Sequence, residues 1–86
     1  MMYSSREAKI LSICLLRDDY ITYQEISDQL NISTRTIMRE LSQLKNSLQK
    51  MNLKILSKKG KGILISGTEE AKQNLIMDIQ GSKIDY

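Results

Sequence analysis

Along residues 33–51 the apolar positions Ile37, Leu41, Leu44, Leu48 and Met51 recur in steps of four, three, four and three. That spacing places them on one narrow face of an α-helix. At about 100° per residue, Arg35, Arg39, Ser42 and Asn46 fall on the opposite side, so the pattern predicts a helix anchored along one face and open along the other. Two shorter helices precede it. The first begins at Ser4-Ser5-Arg6-Glu7, a capping box in which a serine hydroxyl accepts a free backbone N–H while Glu7 reaches back to the cap. Ala8, Ile10, Leu11, Cys14 and Leu15 give it a core face, and Arg17 to Asp19 closes it. After Tyr20 and Ile21, which suit a very short strand, Thr22-Tyr23-Gln24-Glu25 forms a second capping box, opening a helix that carries Ile26 and Leu30.

Asn31-Ile32-Ser33 separates this helix from the long one. Asn31 tolerates a left-handed turn, Ile32 can plug the angle between two helices, and Ser33 can cap the next. The expected joint is a helix-turn-helix. Asn52 ends the long helix, Leu53 to Ser57 alternate as a strand, Lys58-Lys59-Gly60-Lys61-Gly62 supplies a flexible tip, and Ile63 to Ser66 returns. Thr68-Glu69-Glu70 announces a last helix with Ala71, Leu75, Ile76 and Ile79 on its apolar side, and Gly81 is expected to stop it. The fold class that follows is mainly α with a small β-hairpin: a winged helix-turn-helix with a three-helix core, a two-stranded wing and an extra C-terminal helix. Residues 1–67 are expected to form this winged helix-turn-helix domain and residues 68–86 a C-terminal helix that serves as connector or dimerisation element.

Length narrows the function classes. A chain of 86 residues buries one modest core and leaves little room for a large catalytic cleft. It has no Pro, Trp, Phe or His, and 41% of its residues are hydrophobic, the profile of a soluble, mostly helical domain. Without histidine no His-based acid/base pair can form. A lone cysteine cannot build a thiolate metal cage, and no phosphate-binding glycine motif is present. No enzyme activity, metal or cofactor is expected. Cys14 lies in the apolar run from Ile10 to Leu16, where it reads as a small core hydrophobe. That run is too short to span a membrane and lacks a small-residue cleavage site, so a cytoplasmic protein is expected.

The net charge of +3 hides an uneven distribution. Between Ser33 and Gly62 stand eight basic residues and one acid, Glu40, a local charge of +7; the remainder carries −4. Such a segment is the electrostatic footprint of a polyanion binder. Major-groove readout needs a helix whose first turns meet base edges, which singles out Ser33, Thr34, Arg35, Thr36, Met38 and Arg39. Arg35 and Arg39 are the strongest base readers, because a guanidinium can bond guanine O6 and N7 together. Thr34 and Thr36 could touch phosphate or a thymine methyl, and Ser33 with the N–H groups of the helix start suits a phosphate oxygen. Lys58, Lys59 and Lys61 fit phosphate or minor-groove contacts. Tyr23 could reach a phosphate or pack. A winged helix with such a face could instead dock an acidic protein partner.

From Ser5 to Gly67 the order of motifs resembles the N-terminal winged helix of bacterial sugar-responsive transcription regulators that contain phosphotransferase-system regulation domains. The residues that carry the resemblance are Ser5-Arg6-Glu7, Tyr20-Ile21-Thr22, the run Asn31 to Leu41, Leu53-Lys54-Ile55, the Lys58 to Gly62 tip and Gly67. The pattern is shared with sugar-metabolism repressors and with the repressor domain of bifunctional biotin ligases. Glu40 stands where such families often carry Asp. The resemblance implies the DNA-binding part of a longer regulator, acting as a homodimer on double-stranded DNA, with a sugar signal read through phosphorylation of downstream domains.

Overall fold

A computed structural model of the chain describes residues 3–83. In chain order they form α1 (Ser5–Leu16), α2 (Tyr23–Leu30), α3 (Thr34–Lys50), β1 (Lys54–Lys58), β2 (Gly62–Ser66) and α4 (Glu69–Lys83). This is the winged helix-turn-helix expected from the pattern. Met1, Met2 and residues 84–86, the outer ends of the two predicted spans, lie outside the described residues.

Local chemistry sets the boundaries of the first three helices. Both capping boxes form: Ser4 Oγ accepts the Glu7 N–H at 3.1 Å while Glu7 accepts the Ser4 N–H, and Thr22 and Glu25 repeat the arrangement. Asn31 sits in the left-handed region at φ 57°, with its N–H on the Ser27 carbonyl. The end of α3 is closed more tightly. Asn52, at φ 63°, donates to the Gln49 carbonyl and Leu53 donates to that of Leu48, the paired bonds of a Schellman motif, and Leu53 adds its buried side chain.

Ile37, Leu41, Leu44 and Leu48 are buried along α3 as the stripe predicts, and they meet Ala8, Ile10, Leu11 and Cys14 of α1 and Ile26 of α2 in one core. Tyr3 belongs to it too. It is buried just before α1, and its hydroxyl reaches Met51 Sδ at 3.8 Å. Burial raises the pKa of that phenol above its ordinary value, with the negative charges of Asp78 and Glu7 adding to the effect.

The wing is an antiparallel pair in the register Ile55 to Ile65 and Lys58 to Gly62. Ile21 adds a single bridge on the inner side of β2, exchanging bonds of 2.9 and 2.8 Å with Ile63. β2 is therefore central and buries Ile63 and Ile65, whereas β1 is an edge strand bearing exposed Lys54 and Lys58. Charges at such an edge discourage pairing with another chain.

One expected boundary is corrected. α4 does not stop at Gly81 but runs on to Lys83. A glycine within a helix costs only about 1 kcal/mol relative to alanine, and the helix is anchored upstream by Ala71, Leu75 and Ile79, all buried in the common core.

Candidate nucleic-acid interface

The turn Asn31-Ile32-Ser33 holds α2 and α3 as a helix-turn-helix, and Ser33 starts α3 by accepting the Thr36 N–H on its hydroxyl oxygen at 3.2 Å. With Ile37, Leu41, Leu44 and Leu48 locked inward, the helical repeat turns Arg35, Met38, Arg39 and Ser42 outward together, and all four are exposed. Lys45, Asn46 and Gln49 continue this exposed stripe toward the C-terminal end.

All eight cations of the 33–62 segment are exposed, and among the described residues none of them forms an ion pair. The segment's only acid is tied away from them. Glu40 pairs with Arg6 of α1 at 3.3 Å, and its side chain is only 17% exposed. Arg17 pairs with Glu25 at 3.0 Å. Hydrogen bonding from the Thr22 backbone, aided by Arg17, holds the Glu25 carboxyl below its ordinary range. Both pairs lie outside the exposed face of α3, so the positive field there is left uncompensated.

The residues singled out from sequence do not all share that face. Arg35, Met38 and Arg39 do. Thr34 and Thr36 are half-buried, and the Thr36 hydroxyl oxygen accepts a 2.9 Å bond from the Ser33 hydroxyl, so both hydroxyls are engaged in starting the helix. Lys58, Lys59 and Lys61 are exposed at the end of the wing, where the Lys61 N–H closes the turn onto the Lys58 carbonyl at 3.0 Å. Gly60 and Gly62 adopt φ of +80° and +106°, which side-chain-bearing residues rarely enter. Gly62 is required for a second reason: a Cβ there would collide with the Ile21 backbone at the bridge.

Half-buried Tyr23, at the start of α2, joins the two basic regions. It lines a cleft of 140 Å³ between α3 and the wing, together with Met38, Ser42, Lys45 and Ser57, and a second of 380 Å³ that opens between α2 and the wing tip beside Gln24 and Lys58. Lys45 and Ser57 are additions to the predicted set. Lys45 lies ten residues beyond Arg35 on the exposed stripe, a signal present in the helical repeat. Ser57 is brought beside it only by the fold of the wing.

A helix-turn-helix whose second helix and adjoining wing present unpaired cations is the framework of DNA-binding transcription-regulator domains. The chain belongs to the helix-turn-helix (HTH) domain family, whose profile matches residues 6–64, from the first turn of α1 into β2. Families of this kind are typically non-enzymatic. No curated protein and no solved structure matches the chain. Among the described residues no helix is long and apolar enough to cross a membrane, and no group of three or more His, Cys, Asp or Glu could hold a metal ion.

Proposed function

We propose that the chain binds double-stranded DNA sequence-specifically, with α3 in the major groove and the wing on the neighbouring backbone. Arg35 and Arg39 read guanine edges from the exposed face of α3. Lys58, Lys59 and Lys61 meet phosphates or the minor groove, Tyr23 meets the strand between α3 and the wing, Ser33 and Thr34 line the backbone at the helix start through main-chain N–H groups, and Thr36, whose N–H is taken by the Ser33 cap, does so through its hydroxyl. The observation that carries this reading is the pair of exposed guanidinium groups, free of any acidic partner among the described residues, on the helix that the helix-turn-helix presents.

In the same reading, residues 1–67 are the DNA-binding unit of a bacterial cytoplasmic regulator of sugar uptake or metabolism genes. Residues 68–86 connect it to phosphotransferase-system regulation domains or help to pair two copies on two half-sites. Homodimerisation suits an operator built from two equivalent halves. The resemblance from Ser5 to Gly67 supports this assignment.

The decisive measurement is the affinity of Arg35→Ala and Arg39→Ala for a selected duplex and for its scrambled counterpart. Each substitution is expected to cost about 1–3 kcal/mol on the selected duplex and little on the scrambled one. Unchanged preference in both variants would remove α3 from the role of sequence reader.

A further inference from the structure

Within the basic face of α3 one residue is chemically out of place. Met38 is a large apolar side chain left 49% exposed, between Arg35 and Ser42 and beside Arg39. It borders the 140 Å³ cleft, whose other apolar walls are Leu41, Ile55 and Ile63 and whose polar rim includes Ser42 and Lys45. The exposed stripe of α3 is thus cationic or polar at its other positions and apolar here.

The major groove offers hydrogen-bond acceptors and donors at every base pair, but ordinary DNA has only one apolar group there, the C5-methyl of thymine. An apolar depression bordered by Met38 and Lys45, on the helix that carries Arg35 and Arg39, therefore matches one feature of a duplex. The one charged group of the rim points the same way. The Lys45 ammonium only donates hydrogen bonds, and thymine presents the O4 acceptor beside its methyl, whereas 5-methylcytosine presents the N4 donor beside the same methyl.

We propose that Met38 and the cleft it borders bind a thymine C5-methyl group, making Met38 a specificity-determining residue for thymine next to the guanines read by Arg35 and Arg39. This inference rests on the DNA reading above. An unbranched thioether can follow the methyl into a shallow depression more readily than a branched side chain can. Burial of one methyl is worth a factor of about four in affinity, the ratio that ~0.8 kcal/mol gives at 1.4 kcal/mol per tenfold.

The experiment uses a duplex selected by the full chain from a random pool, then remade with deoxyuridine for thymine or with a 5-methylcytosine·guanine pair at the same step. The wild-type chain is expected to lose about fourfold for the methyl removed at that step. Met38→Ala should bind the thymine duplex about fourfold more weakly and respond no further to deoxyuridine, while Met38→Leu, apolar but branched, should keep only part of the discrimination. The 5-methylcytosine duplex should bind more weakly than thymine. Wild-type indifference to deoxyuridine, or a full methyl effect surviving in Met38→Ala, overturns the assignment; equal binding of 5-methylcytosine overturns the thymine preference. Failure of the wild-type chain to bind any duplex at low salt overturns the DNA reading itself, and this inference with it.

Discussion

Helix α3 carries Arg35 and Arg39 on a rod that is capped at both ends and pinned by four buried side chains, whereas the wing carries Lys58, Lys59 and Lys61 on an exposed turn between strands of five residues each. A guanidinium held this way keeps a fixed direction relative to the core, which bidentate contact with a base edge requires. An ammonium on a turn shaped by two positive-φ glycines delivers charge with little geometry. The proposed division between base reading and backbone grip follows from how each region is supported, since both are equally basic at their surfaces.

The largest expected effect comes from undermining the support of α3. Leu48→Ala empties a fully buried site and should destabilise the fold by about 2–5 kcal/mol in urea unfolding. A loss below 1 kcal/mol would mean that α3 is not pinned as its burial indicates. Gly62→Ala attacks the wing instead. Forcing a side chain into the left-handed region beside the Ile21 backbone should cost about 2 kcal/mol or more, and amide exchange at Ile21 and Ile63 should accelerate. Exchange rates there that match the wild type would detach the wing's order from this glycine.

Smaller effects sharpen the contrast. Lys59→Ala should weaken binding to selected and scrambled duplexes alike and make the slope of log affinity against log salt less negative by about 0.9. A selective loss on the selected duplex would turn the wing into a reader. The smallest effect at neutral pH concerns Cys14, whose thiol burial pushes up from 9.0 to about 12. Folding favours the neutral thiol, so its contribution to stability is complete below pH 9 and declines as pH rises toward 12. A thiol reagent at pH 8 should modify Cys14 only after unfolding; rapid labelling of the native chain would contradict its burial.

Much of this architecture is legible in residue spacing because short-range rules govern it. The caps at Ser4, Thr22 and Ser33, the left-handed Asn31 and the α3 stripe each depend on residues within one or two turns of helix. What escapes is set by tertiary context. Gly81 carries a local stop signal, yet a helix already packed through Ala71, Leu75 and Ile79 continues past it. Tyr3 and Ala8 flank the first cap at the positions of a hydrophobic staple, a signal present in the chain though easily passed over. The convergence of Tyr23, Met38, Lys45 and Ser57 on one cleft depends on how the hairpin folds back toward α3, and no periodicity encodes that. The hydroxyl bond between Ser33 and Thr36 likewise shifts two predicted contacts toward helix initiation.

The Ile21 bridge also divides the hairpin into a fixed base and a replaceable end. Backbone bonds to Ile63 tie β2 to the segment just before α2, while Lys59, Gly60 and Lys61 project past the last strand pair, Lys58 with Gly62. Those three residues form a cassette. Their length and charge can change without disturbing the joint that aims α3, so the reach of the wing can evolve, or be engineered, independently of what the helix reads.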